Sequence, residues 1–381
     1  MSSDIGINYT LQIEVLSPLH IGNGKKLQRD FDFVAQRNVT YRLNDTAILE
    51  SRWPEDESQQ RKLLSGRLSD LIEGENMAQH PEYAIYKYAG DPAMNEVNEH
   101  IKDVFGHAYL PGSSLKGALR TLLLRTIIEG VAKHQIVRNE IGPGMTHERD
   151  SRSAKGAAGG IETHFAIGKG SQKPSTDPNF SLFRGLAMGD STPAALDALT
   201  LQRVLVVPGL VVTVEALRAK TQLSAPMRID TYLLKTLAGE MGFEETYANT
   251  IRRFVSAAHF TAQTRVKQEI KYHADRSQMA PLGFYTTLNE LMKQPEFGKT
   301  TFLMQVGFLT GWRAKSVLGG LSNDSELLEQ VVRDFYLDRG GKGASQGYER
   351  GQNFPKARHL ALRGEVEAEP MGWLKVTAAR A

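Results

Sequence analysis

Leu115, Leu119, Leu122 and Leu123 recur at i, i+4, i+7 and i+8, which lays an apolar stripe along one side of a helix and predicts that this side packs on a sheet. Pro111-Gly112 supplies the turn before it, and Ser113 or Ser114 supplies an N-cap hydroxyl. Tyr9 to Val15 has the other period: Leu11, Ile13 and Val15 alternate with Gln12 and Glu14, which predicts a half-buried strand. Ser17 to Lys26 breaks that pattern at Pro18, Gly22 and Gly24 and reads as a loop, and Phe31 to Leu43 reads as a hairpin turning near Arg37-Asn38.

Farther along, Pro54 with Glu55, Asp56 and Glu57 marks a helix start, followed by a stripe of Leu63, Leu64, Leu68, Leu71 and Ile72. Glu73 to Lys102 is polar with weak periodicity and yields no elements. Asn139 to Lys173, rich in Gly, Ser, Lys and Arg, reads as a long mobile insertion. Leu210 to Leu217 is a strand. Met227 to Phe243 and Glu245 to Ala262 read as helices, the second gathering Ile251, Phe254, Val255 and Ala258 on one face. Thr301 to Leu309 is an apolar run, and Trp373 to Thr377 reads as an edge strand.

Composition changes this picture little. With 381 residues, 41% hydrophobic and 23% charged, the chain suits one large domain or two. The division expected is 1–195, with a helical insertion at 54–102 and a mobile one at 139–175, followed by 196–381. The absence of cysteine excludes disulfides, thiolate metal sites and cysteine nucleophiles. The histidines are scattered without an H-E-x-x-H pair, and no apolar run approaches a membrane span; the expectation is a cytoplasmic protein without a cofactor. A net charge of +3 permits a nucleic-acid partner without requiring one, so local clustering has to decide.

Two stretches concentrate cations. In Tyr109–Arg125, Lys116 and Arg120 stand one turn apart beside the amides and hydroxyls of Ser113 and Ser114, with no acid between Val104 and Ile128. A solvated basic pair would look the same. No Walker loop is present. In the C-terminal part Arg339, Lys342, Arg350, Lys356 and Arg358 alternate with glycines and with Tyr348 and Phe354, a mixture suited to phosphates and stacked bases or to a plain surface loop. Lys25 and Lys26 follow the Gly22–Gly24 loop, and Arg313 and Lys315 lie among Gly311, Gly319 and Gly320.

SPLHIGNG at 17–24, YLPGSSLKGALR at 109–120, LFRGLAMGDSTP at 182–193, VGFLTGWRAKSVLGG at 306–320 and NFPKARHLA with PMGWLKV near the end together resemble the RAMP superfamily of CRISPR-associated proteins. The long chain and its ending look most like the fifth subunit of type III-A Csm effector complexes. The resemblance implies an α+β chain of ferredoxin-like (RRM-like) units with insertions. It also implies a non-catalytic RNA-binding subunit of an antiviral ribonucleoprotein, capping the end that holds the 3′ part of the guide RNA and supporting guide maturation. Its implied partners are guide and target RNA, the neighbouring Csm backbone subunit, the small helical Csm subunit and host nucleases that trim the guide. On this chain the implied RNA contacts are Ser113, Ser114, Lys116, Arg120, Lys25, Lys26, Arg313, Lys315, Lys342, Arg350, Lys356 and Arg358.

The alternative is a metal-dependent endoribonuclease. Related backbone subunits cut with an aspartate upstream of their own PGSS motif, and Asp103 stands at roughly that place here, although VFGHAY departs from their pattern. Guide-processing relatives use a histidine; His20 is the candidate, but Pro18 and Ile21 beside it suggest a packed loop.

Overall fold

The computed structural model describes residues 5–58, 60, 66–92, 94–129, 131–141, 159–168, 178–207, 209–319, 325–334, 354–355 and 358–381. In chain order the strands are β1 (Gly6–Val15), β2 (Gly22–Gln28), β3 (Phe33–Gln36), β4 (Val39–Leu43), β5 (Ala84–Ala89), β6 (Glu96–His100) and β7 (Leu186–Met188). They continue with β8 (Leu199–Val207), β9 (Leu210–Leu217), β10 (Gln222–Asp230), β11 (Thr301–Gln305), β12 (Leu360–Arg363), β13 (Val366–Pro370) and β14 (Trp373–Arg380). The helices used below are α1 (Asp45–Arg52), α2 (Gly112–Ile128), α3 (Val131–Ile141), α4 (Gly159–Ala166), α5 (Glu245–Arg252), α6 (Phe254–Ala274) and α7 (Met279–Leu291).

One antiparallel sheet runs β11-β14-β1-β10-β7, a second runs β13-β12-β8-β9-β6-β2, and β3-β4-β5 form a third. The alternation in β1 sets the register of the first sheet: Leu11 faces Ala225 and Ala378, and Ile13 faces Leu223 and Val376, all of them buried. The Leu115, Leu119 and Leu123 stripe of α2 joins the same core. Each such side chain taken out of water contributes about 1.5–3 kcal/mol. The α+β class is as expected; strands from 1–195 and 196–381 interleave in the first sheet, and in the second β6 and β2 from 1–195 join the edge of a block from 196–381.

Several elements differ from the sequence reading. Gly22 to Gln28 is a strand, not a loop; its register with β6 shifts between Gly22 and Lys26, which absorbs the glycines. Pro54 stands between two helical stretches: α1 is capped by Asn44, whose side chain accepts from the Ala47 amide, and ends at Trp53, while helical residues begin again at Glu57, as expected, with the Gln60 amide donating to Asp56 O at 3.0 Å. Leu68–Ile72 forms a short 3-10 turn, while Leu63 and Leu64 lie outside the described residues. In place of a helix from Met227, β10 continues to Asp230, because Leu223, Ala225, Met227 and Ile229 alternate inward against β1. Arg253 breaks the expected 245–262 helix into α5 and α6. Trp373 opens an interior strand, since β14 has β1 on one side and β11 on the other. Within the expected mobile insertion, 139–141 end α3, α4 buries Ile161 and Phe165, and Ile167 bridges to Ser181; beyond 139–141 and 159–168 it lies outside the described residues. The hairpin at Arg37-Asn38 is as expected, with φ of 51° and 61° giving the turn that suits twisted strands.

The start of α2 is anchored from a distance. Pro111 precedes it, neither serine side chain caps it, and the Gly112 amide donates to Asp190 Oδ1 at 2.7 Å. The Leu110 amide donates to Ser191 Oγ at 2.9 Å, and Gly112 lies so close to the Met188 and Gly189 backbone that a Cβ there would collide with it. Asp190→Ala removes a carboxylate from the positive end of the helix and orphans an amide. The expected loss is about 1–2 kcal/mol, read as a lower urea midpoint with unchanged slope.

Candidate nucleic-acid interface

Three of the sequence motifs meet at one end of the first sheet. The Phe308 amide donates to the His20 carbonyl at 2.8 Å, the Gly372 amide to Pro18 O at 2.8 Å, and the Val306 amide to Gly372 O at 2.9 Å. Gly307 and Gly372 have φ of 102° and 78°, and a Cβ at either would run into backbone, at His20 O and Val306 O respectively. The Trp373 amide donates to Ser17 Oγ at 3.0 Å, which closes the knot.

Against this knot α2 turns a face of small residues. Ser114, Gly117, Ala118 and Thr121 form one wall of a cleft of about 350 Å³ whose other wall is the 305–315 segment, with Gly22 at one edge. Phe308 is 47% exposed in that wall, and the Lys315 ammonium lies 5.3 Å from its ring centroid. Partial desolvation at the cleft wall holds the pKa of the otherwise exposed Lys315 below the ordinary lysine value. Small side chains and bare backbone let a polymer come close, an exposed ring offers a stacking surface and the ammonium a counter-charge.

The stretch that suggested the site is split by the helix. Lys116 and Arg120 are absent from the cleft lining and project from other sides of α2 than Ser114, Gly117 and Thr121. Arg120 pairs with Glu162 of α4 at 2.9 Å and stands over the Phe183 ring. It is therefore not the unneutralised cation its local sequence implied, because the acid comes from a distant segment. Lys116 is half-buried without a carboxylate partner among the described residues; burial, then Arg120, lower its pKa. Of the amides at this helix start, that of Ser114, expected to receive an anion, donates to Pro111 O at 2.9 Å, and that of Gly112 holds Asp190.

The other predicted contacts separate further. Lys25 and Lys26 lie exposed on β2, with Lys26 paired to Glu96 at 2.7 Å in a solvated bridge of small energy. Arg313 and Arg358 are partly buried and engaged within the protein: Arg358 binds Glu269 at 2.7 Å, and Arg313 donates to Gln268 Oε1 and Phe354 O. Both guanidiniums are thus engaged inside the protein. Lys342, Arg350 and Lys356, with Arg339 and Tyr348, lie outside the described residues.

Neither candidate for acid–base chemistry is presented to solvent as a free group. Asp103 Oδ1 accepts from the Phe105 and His107 amides, both at 2.9 Å, in its own turn. Burial alone would raise its pKa, but those amides and His107 outweigh it and hold the carboxyl below the usual aspartate value. His20 is 1% exposed, and its Nδ1 is 2.7 Å from Glu215 O; a carbonyl only accepts, so Nδ1 carries the hydrogen. Sequence reasoning missed the cluster beneath it. Glu215, fully buried, accepts from Tyr86 and Tyr88 hydroxyls and the His100 amide and pairs with Lys102, which joins β5, β6 and β9. The available signal was a carboxylate inside the apolar run VVTVEAL.

With that geometry in view, comparison with known proteins is informative. Residues 12–179 match the family model of the RAMP superfamily. A chain of the cryo-EM structure of a Csm–crRNA–target RNA ternary complex from a type III-A CRISPR-Cas system superimposes with a TM-score of 0.71 at 22% identity, covering 97% of this chain and 100% of that one. The crystal structure of T. onnurineus Csm5 gives 0.63 at 18% identity, covering 95% and 99%. The family match covers less than half of this chain, while the fold as a whole is similar to that of Csm5. In sequence it is 30% identical over 139 residues to the CRISPR system Cms protein Csm5 of Streptococcus thermophilus, a segment spanning 31% of this chain and 38% of that relative. No helix among the described residues is long and apolar enough to cross a membrane.

The buried imidazoles give this region a pH signature. Burial is the main cause of the lowered pKa at both His20, to about 4, and His100, to about 3; their rings meet edge-on at 5.8 Å. Folded, both stay neutral where the unfolded chain takes protons at the ordinary value, so stability falls as pH drops below about 6.5. By pH 5 the loss is roughly 2 kcal/mol per histidine. Urea midpoints at pH 7 and pH 5 should separate accordingly, and in His100→Gln the separation should shrink.

Proposed function

We propose that the protein is the RNA-binding end-cap subunit of a type III-A Csm effector complex. It takes the 3′ part of the guide RNA through the cleft between α2 and the 305–315 segment, and supports guide maturation beside a Csm backbone subunit and the small helical subunit. The observation that carries this reading is the convergence of the 17–24, 109–120 and 306–320 motifs on one cleft with small-residue walls, an exposed Phe308 and the Lys315 ammonium. The solved relative whose fold spans the whole chain comes from a Csm–crRNA–target RNA assembly, which supports the assignment of partners. On this reading Lys116 and the β2 lysines are outlying phosphate contacts and the cleft is the principal one.

Binding should be insensitive to sequence and strongly dependent on salt. Lys315→Ala is expected to weaken single-stranded RNA binding about equally for all sequences and to lower the slope of log affinity against log salt by roughly 0.7. An unchanged slope would remove the cleft from the proposal. Gly117→Leu fills the cleft and should weaken binding while leaving the urea midpoint near that of the parent protein. Because Asp103 is engaged in its own turn, the reading is of a subunit that does not cut. Incubation with magnesium should leave RNA intact in the parent protein and in Asp103→Ala alike; cleavage by the first and not the second would favour the endoribonuclease alternative.

A further inference from the structure

The far end of the first sheet carries a second cleft, outside the sequence motifs. Tyr9 of β1, Ala378 to Arg380 of β14, Gly298 to Thr300 before β11, and Arg252 to Ser256 at the junction of α5 and α6 enclose about 500 Å³. Cross-strand pairing fixes which way the strand residues look. Arg380 is the direct partner of Tyr9, so the two side chains share one face of the sheet. The Tyr9 ring meets that of Phe254 edge-on at 5.4 Å, so that face is the one covered by α6. Lys299 is set by a tight turn: the amides of Lys299, Thr300 and Thr301 all donate to the Glu296 carbonyl, and Gly298 has φ of 77°.

Among the described residues the lining contains Arg252, Arg253, Lys299 and Arg380 and no carboxylate side chain. Glu245 takes up Arg252 at 3.6 Å. Arg253, Lys299 and Arg380 are exposed and have no ion-pair partner among the described residues. Elsewhere exposed cations are matched with acids, as in Lys26–Glu96, Arg67–Asp30, Arg203–Glu365 and Lys293–Glu290. In a chain whose net charge is only +3, unmatched cations gathered from three distant segments repel one another at a cost in stability. An anionic partner removes that cost. The space is of the size that takes a nucleotide, more than a lone inorganic ion fills, and its lining offers no exposed large apolar side chain for a bilayer.

We propose that this cleft is a second site for single-stranded RNA, seating one nucleotide with its flanking phosphates on Arg253, Lys299 and Arg380. It rests on the reading of the protein as an RNA-binding subunit and carries the strand past the first cleft. Thr300 in this cleft and Gln305 in the other lie on one extended segment, about 17 Å apart.

The test is binding of a labelled oligouridylate of about 20 nucleotides to the full chain across a salt series; at roughly 3.4 Å per residue it is long enough to reach both clefts. Arg253→Ala combined with Arg380→Ala is expected to lower the slope of log affinity against log salt by about 1.4, two phosphate contacts at roughly 0.7 each. As a control, Lys235→Ala combined with Lys267→Ala removes the same charge from exposed positions outside the cleft and should leave the slope at the parent value. All four side chains are exposed, so both variants are expected to keep the parent urea midpoint. No fall in the first pair, or an equal fall in both, would overturn the second site, while Lys315→Ala reports separately on the first. A parent protein that binds no RNA would overturn both sites together.

Discussion

The close approach of three backbones at Gly307 and Gly372 governs the cleft end of this molecule. Carbonyls of His20 and Val306 occupy the space where side chains would stand at those two positions, and both glycines have φ values that other residues rarely adopt. The hydrogen bonds that follow tie the exit of β1, the exit of β11 and the entrance of β14 into one rigid rim. A cleft wall built from backbone held at both ends keeps its shape without large side chains, which leaves room for a bulky polymer. The buried Glu215 cluster reinforces the rim from below, since it orders the strand whose carbonyl orients His20.

Charge is distributed here in two layers with different purposes. Lys25 and Lys315 are exposed, where an ammonium acts through screened, non-directional attraction. Arg125, Arg265, Arg313 and Arg358 lie inside, where planar guanidiniums make directed bonds to carbonyls and rings. Arg125, at the far end of the α2 motif, donates to the Arg313 and Ser316 carbonyls and so links the helix to the opposite wall of the cleft. Both layers are written in the same two residue types, which is why basic residues counted along the chain overstate the exposed binding surface.

Legibility of the sequence followed the range of the interactions. The α2 stripe, the β1 alternation and the Arg37-Asn38 turn depend on neighbours within a few residues, and all three were readable. The neutralisation of Arg120 by Glu162, the capping of Gly112 by Asp190 and the engagement of Arg313 and Arg358 by Glu269 depend on partners from distant segments, and local pattern carried no trace of them. The strand β10 was mistaken for a helix because Pro226 and a short alternation were outweighed by the leucine-rich stretch after Tyr232, which is helical. The motifs converge on one cleft, but they named cations where much of its lining is made by glycines, a serine and an aromatic ring.

The place of β14 has a consequence for how such a chain is made. Its partners include β1, so the first and last strands described here are neighbours, and the middle of the principal sheet stays open until segments separated by nearly the whole sequence find each other. During synthesis the apolar edge of β1 is a template for any extended stranger. Contacts of such long range slow folding, and the interval in which β1 waits is the time when aggregation competes. Early shielding of that strand, whether by a chaperone or by an assembly partner, would set the yield of active protein more strongly than the final stability does.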